Sequence, residues 1–316
     1  MMSFIQIKDL HVHYPIRGGF FNTVVDHVYA VDGVSMEFEK GKTYGLVGES
    51  GSGKSTTGKA IIGLEKITSG QVIYEGEDVT NKRRTRNSAF TRDIQMIFQD
   101  STSAMNPRKR VQDVLAEPIR NFMNLSPTEE KRHMIELLEI VGMSEEALLK
   151  YPHEFSGGQK QRLGIARAVA CKPKMIIADE PVSALDLSVQ AQVLNFMKDI
   201  QTEYGLSYLF ISHDLGVVRH MCDHISIMYK GRFVEQGTKE DIYKHSKHVY
   251  TNRLLSAIPT IEPETRLERK MERRAVEQAY RENAQKYYDA DGKVYPLQVI
   301  SATHKVAMSA AEKEAQ

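Results

Sequence analysis

The sequence predicts an α/β fold: a mostly parallel sheet, an antiparallel β subdomain at the N-terminus and a helical subdomain inserted in the middle. Three observations predict it. A buried apolar run, Thr43-Tyr44-Gly45-Leu46-Val47, feeds the glycine-rich turn Gly48-Glu49-Ser50-Gly51-Ser52-Gly53-Lys54-Ser55, and a helical pattern follows over Thr57 to Leu64. Two later apolar runs, Met175–Ala178 and Tyr208–Ile211, have the length and composition of central parallel strands, with helical stretches between them. Arg108 to Ala170 reads as helical throughout.

The flanks complete the outline. Ile5 and Ile7 alternate with Gln6 and Lys8, and Val34, Met36 and Phe38 alternate with Ser35, Glu37 and Glu39, which is a half-buried strand pattern. Pro15 to His27, with Gly18-Gly19, reads as a loop between them. In the middle, Ser126-Pro127-Thr128-Glu129 is a capping box with Pro at the first helical position, and Gly142 closes the helix. Beyond Pro259, Glu262 to Tyr288 is dense in Glu, Lys and Arg and reads as a solvated helix outside the core. The expected domains are a main α/β unit over 1–259, its helical subdomain at about 101–172, and an unassigned helical extension over 260–316.

Bulk properties narrow the class. The chain has 316 residues, 26% charged and 41% apolar, ordinary for a globular protein with a real core. Its net charge of +1 exerts no global pull toward nucleic acid or anionic lipid. Cys171 and Cys222 are far apart without metal-ligand spacing and read as buried small hydrophobes in a reducing compartment. The N-terminus lacks the basic and apolar regions of a secretory signal, and no apolar run approaches the roughly 18 residues of a membrane span. A membrane role would therefore come through a partner.

The chemistry lies in an ordered set of short motifs. Gly48, Gly51 and Gly53 let backbone amides approach a triphosphate, and the helix that follows adds its positive dipole. Lys54 reaches the β- and γ-phosphates, Ser55 ligates Mg²⁺, and Glu49, Ser50, Ser52 and Thr56 complete the loop. Asp179 and Glu180 end the Met175 strand and point to opposite sides. Asp179 is assigned to the metal and Glu180 to polarising the attacking water. Ser156-Gly157-Gly158-Gln159 opens a helix whose exposed amides form a second anion site. One nucleotide does not need two such ends from one chain, so a second chain turned head to tail is expected to bring this end to the γ-phosphate. Gln99 ends the Ile94–Phe98 run; it either touches Mg²⁺ or water, or is a plain polar strand end. His213 either bonds the γ-phosphate and holds Glu180 or is structural, and Tyr14 either stacks on adenine or simply packs.

With Ser183-Ala184-Leu185-Asp186, the set resembles the nucleotide-binding subunit of ATP-binding cassette (ABC) transporters, a RecA-like P-loop NTPase core, over about Phe4 to Ile258. The resemblance implies an ATPase, with Tyr14 as the adenine-stacking aromatic, Gln99 as the Q-loop residue, Ser156 to Gln159 as the signature motif, Asp186 in the D-loop and His213 as the switch histidine. Met105-Asn106-Pro107-Arg108, Tyr151-Pro152-His153-Glu154-Phe155-Ser156 and Tyr250 to Pro259 narrow the likeness to the dipeptide/oligopeptide (and nickel) importer subfamily. That implies two membrane permease subunits, an extracytoplasmic binding protein and a second, non-identical ATPase subunit at the cytoplasmic membrane face, with ATP and Mg²⁺ as ligands. This chain resembles the second of the two ATPase subunits.

The departures are few. Phe155 stands where Leu is commoner, the cysteine cluster many relatives carry near the cassette end is absent, and His245-Ser246-Lys247-His248 lacks prolines common there. No iron–sulfur cluster is expected. Rival readings are a nickel importer, an exporter ATPase, and a soluble cassette acting on nucleic acid. The last is disfavoured by the single cassette and near-neutral charge.

Overall fold

The computed structural model describes residues 3–80, 89–99, 105–258 and 266–314. The chain begins with a long antiparallel hairpin, β1 (Ile5–Gly18) and β2 (Thr23–Phe38). Then come β3 (Thr43–Val47), α1 (Lys54–Ile61), β4 (Ser69–Tyr74), β5 (Glu77–Asp78), α2 (Ala89–Asp93) and β6 (Ile94–Ile97). The helical subdomain follows, with α3 (Val111–Phe122), α4 (Pro127–Ile140) and α5 (Gly157–Val169). The core resumes with β7 (Met175–Asp179), α6 (Leu187–Tyr204), β8 (Ser207–Ser212), α7 (Leu215–Met221), β9 (His224–Tyr229) and β10 (Arg232–Thr238). Last are α8 (Lys239–His245), α9 (Val249–Ser256), α10 (Arg266–Asn283), β11 (Leu297–Val299), β12 (Lys305–Ala307) and α11 (Ala310–Glu314).

Two sheets form. One has four strands in the order β2-β1-β4-β5, all antiparallel. The other has eight in the order β11-β12-β10-β9-β3-β8-β7-β6, parallel from β9 to β6 and antiparallel from β9 to β11. Central strands are buried on both faces, and their side chains divide between two cores. Tyr208 and Phe210 face the helices, while Leu209 and Ile211 face the antiparallel sheet. That explains why these runs read as continuously apolar rather than alternating. The capping box at Ser126 forms as expected, and Gly142 takes a φ of +69° just past α4.

Two expectations fail. Pro15 to His27 is not a loop. Pro15 pairs with His27 and Arg17 with Val24, leaving only a tight turn after Gly18. Beyond the His11–Ser69 pair β1 has β2 as its only neighbour in the ladder, so a proline lacking its N–H is tolerated there.

The segment after residue 260 is also not wholly outside the core. Glu272 to Arg274 on α10 are exposed, but Tyr287, Tyr288, Val294, Val306, Ala307 and Met308 are buried with the helix-side core, and β12 pairs with β10. Tyr287 and Tyr288 close the charged stretch and the other docking residues follow it, so local charge density says nothing about them. The proposed boundary near 259 and the start of the helical subdomain at 101 lie outside the described residues.

A buried carboxylate fastens this return. Glu235 on β10 is fully buried and accepts hydrogen bonds from His304 Nε2 at 2.8 Å, from Lys247 N at 2.7 Å and from His248 N at 3.2 Å. His304→Ala removes one donor from a carboxylate that water cannot reach. The expected cost is about 1–3 kcal/mol, read as a lower urea midpoint; an unchanged midpoint would show that the contact is incidental.

Candidate functional site

The turn between β3 and α1 wraps on itself. Lys54 is buried, and its Nζ donates to Gly48 O and Glu49 O, both at 2.8 Å. Burial pushes its ammonium below the ordinary range, while Glu180, Asp179 and Glu49 pull the other way. Two glycines are required by close approach. A Cβ on Gly48 would stand 2.2 Å from Met228 O; one on Gly53, at φ +107°, would stand 2.1 Å from Ala30 O. The loop is thereby pressed against β9 and the middle of β2. Beside it lies a cavity of about 500 Å³, lined by Ser50, Gly51, Gly53, Lys54, Ser55 and Thr56 of the loop, with Gln99, Glu180, Val28, Tyr29 and Lys230 around them.

Asp179 ends β7, and Glu180 follows it outside the strand. Asp179 is buried and accepts from Ser55 Oγ at 2.7 Å. Burial raises its carboxyl above the usual range, and the Ser55 hydroxyl pulls it back. Glu180 turns toward the cavity. Gln99 Nε2 donates to Glu180 Oε2 at 2.9 Å, and His213 Nδ1 donates to Glu180 Oε1 at 3.0 Å. Glu180 adopts a φ of +46°, a left-handed conformation costly for a residue with a side chain. Its N–H donates to Ile211 O at 2.9 Å, which holds that conformation. Two side chains from two other strand ends thus hold this carboxylate, on a strained backbone, at the edge of the cavity.

Other expected residues stand apart. Ser156 caps α5: Gln159 N donates to its Oγ at 3.4 Å and Gln159 Oε1 accepts from its N–H at 2.9 Å. Ser156, Gly157 and Gln159 are exposed, and none of them lines the phosphate-loop cavity. Asp186 is the exposed residue before α6. Tyr14 does not line the cavity, although its β2 register partner Val28 does, and its hydroxyl lies against Glu65 and Thr56. Gln99 is engaged with Glu180 through its amide nitrogen.

The structure adds a residue whose place the sequence pattern did not reveal. Tyr250 is fully buried on α9, and its hydroxyl accepts the N–H of Glu49 at 3.1 Å. Tyr229 packs against both Tyr250 and Tyr288, at centroid distances of 4.6 and 5.6 Å, so an aromatic chain runs from the C-terminal segment to the phosphate loop. Tyr250 stands in a stretch notable in the sequence, but nothing there indicates a contact across 201 residues.

The family description "ABC transporter" matches residues 31–183, and "Oligopeptide/dipeptide transporter, C-terminal region" matches 234–295. The oligopeptide transport ATP-binding protein OppF of Lactococcus lactis subsp. lactis (strain IL1403) is 56% identical over 308 residues, 98% of this chain and 97% of that protein. The chain belongs to the ABC transporter family, in its oligopeptide/dipeptide branch. It is an ABC ATPase.

The dipeptide transport ATP-binding protein DppF of Escherichia coli (strain K12) is 46% identical over 84% of this chain and 79% of its own length. Among solved structures, the cassette MJ0796, a dimer in a post-hydrolysis state bound to ADP and Pi, superposes with a TM-score of 0.65 at 26% identity, over 74% of this chain and 98% of that one. The cbiO1 subunit of Clostridium perfringens shares the fold, with a TM-score of 0.68 at 23% identity over 86% of this chain and 100% of that one. No described helix of this ABC ATPase is long and apolar enough to cross a membrane.

Proposed function

We propose that this ABC ATPase powers uptake of oligopeptides, working at the cytoplasmic membrane face with two permease subunits, an extracytoplasmic binding protein and a second, non-identical ATPase subunit. The observation that carries the reading is the Glu180 carboxylate, held by Gln99 and His213 beside the phosphate loop. The identity to OppF over nearly the whole chain supports the substrate class.

The residues perform the chemistry as follows. Lys54 exchanges its loop carbonyls for β- and γ-phosphate oxygens, and the α1 N-terminus takes the remaining charge. Ser55 Oγ and Asp179, hard oxygen donors beside the loop, fit Mg²⁺, with Gln99 as a further ligand; when bound, the ion neutralises phosphate charge. Glu180 accepts a hydrogen bond from the attacking water and orients it in line. His213 keeps the carboxylate aimed and lies within reach of the γ-phosphate. Tyr14 stacks on the adenine. The exposed amides at Gly157 and Gly158, with Ser156, supply the missing donors to the nucleotide of a partner cassette, and Asp186 lies at that seam. Loss of the γ-phosphate removes the bridge, and the pair opens.

A second depression of about 300 Å³ lies between β6 and the helical subdomain, lined by Ile94, Phe98, Met105, Pro118 and Phe122 among others. Its apolar floor adjoins Gln99 and suits a cytoplasmic loop of a permease, which couples opening to transport. The test is reconstitution in lipid vesicles with the permease subunits, second ATPase and binding protein. ATP-dependent accumulation of a labelled oligopeptide is expected. Accumulation of nickel and no peptide would overturn the substrate class.

A further inference from the structure

Outside the lining of the phosphate-loop cavity, the hairpin gathers His11, His13 and Asp32, whose ligating atoms all lie within 4.8 Å of one another. Asp32 Oδ1 stands 3.2 Å from His11 Nδ1 and 3.6 Å from His13 Nε2. Tetrahedral ligands about 2.0–2.1 Å from a zinc ion stand roughly 3.4 Å from one another, so the spacing suits a shared ion. His11 and His13 stand two apart on β1, where the register shifts between Leu10 and His11 and between Val12 and His13; their ring centroids are 5.4 Å apart, and His11 pairs with Asp32 of β2.

The hydrogen bonding is incomplete without a cation. His11 Nε2 lies 3.2 Å from Asp9 Oδ1 and its Nδ1 lies 3.2 Å from Asp32 Oδ1, so the ring is set between two carboxylates. A neutral imidazole has one N–H and can serve only one of them. His13 Nε2 is buried and has no hydrogen-bond partner.

We propose that His11, His13 and Asp32 bind a divalent transition-metal ion, zinc by its ligand chemistry, with water as the fourth ligand. Asp9 orients His11 from outside, as carboxylates do behind metal-bound imidazoles. Arg232 Nε at 2.8 Å and Lys293 Nζ at 3.4 Å hold Asp32 by Oδ2 and leave Oδ1 to the rings. Because those two cations offset the carboxylate charge, affinity rests on the imidazoles. That selects zinc-like ions over Mg²⁺ or Ca²⁺. The site adjoins the phosphate loop: Asp32 N donates to Gly231 O and Gly231 N donates to Ser52 O, each at 2.9 Å.

The test is titration of chelator-stripped, nucleotide-free protein with Co²⁺ and with Zn²⁺ against a chromophoric chelator. One ion per chain is expected, with the visible absorption of tetrahedral Co²⁺. The double substitution His11→Ala/His13→Ala should weaken binding at least 100-fold, and Asp9→Asn about tenfold. Undiminished binding in the double variant, or an all-oxygen octahedral Co²⁺ spectrum in the wild type, overturns the proposal. If the double variant does not fold, imidazole NMR of the wild type decides: Zn²⁺ should shift the rings of His11 and His13 among the chain's 11 histidines, and a shift confined to other rings rejects the site.

Discussion

Replacing Glu180 by Gln is expected to lower steady-state ATP turnover of the assembled transporter by about 10²–10⁴-fold while ATP affinity stays near wild type. The substitution keeps the shape of the side chain and removes its charge. An amide oxygen can still accept from His213, and Gln99 keeps its contact by flipping its own amide so that its oxygen accepts from the new NH2. What is lost is the acceptor strength that polarises water. Lys54, Ser55 and the loop amides, which carry binding, are untouched. With hydrolysis blocked and binding intact, two subunits should accumulate closed around ATP, visible as a nucleotide-dependent dimer in size-exclusion chromatography. Turnover within a few-fold of wild type would refute Glu180 as the base and shift attention to phosphate positioning alone.

The second large effect is expected from Ser156→Arg. Ser156 caps α5 at the surface, and the cavity beside Lys54 contains no residue of its motif. In the composite-site reading, a bulky cation there blocks the approach of the α5 amides to the partner's γ-phosphate. Hydrolysis at that facing site should fall by about 10²–10³-fold, the loss typical when a transition-state donor is removed. The isolated subunit should bind a fluorescent ATP analogue as before, since its own phosphate loop is unchanged. Two results would count against the reading: unchanged turnover in the assembled complex, or weakened nucleotide binding by the lone subunit. The second would place Ser156 in its own chain's site.

The sequence was informative where chemistry forces residue type. Gly48 and Gly53 are readable because nothing larger fits between the loop and Met228 O or Ala30 O. Asp179 and Glu180 were singled out because an acidic pair ends an apolar strand, and Ser55 and His213 lie against them. The Pro15–His27 arm was illegible because Gly18-Gly19 and Pro15 are turn punctuation in isolation, while cross-strand pairing decides their state. Tyr250, Tyr288 and His304 escaped for another reason. Each contributes through a partner far off in the chain, and a lone aromatic or histidine carries no local mark of such a contact. The metal-ligand cluster was hidden similarly, because Asp32 meets His11 and His13 only when the hairpin closes.

The pairing of β12 with β10 has a consequence for biogenesis. The strand that covers β10 leaves the ribosome well after it, since β10 is Arg232–Thr238 and β12 is Lys305–Ala307. Until then the nascent polypeptide presents an open ladder at Arg232–Thr238, with Glu235 awaiting His304. Translation of this subunit therefore passes through a stage with most of the nucleotide machinery made and one margin unsealed. That is the stage at which a chaperone has a reason to engage.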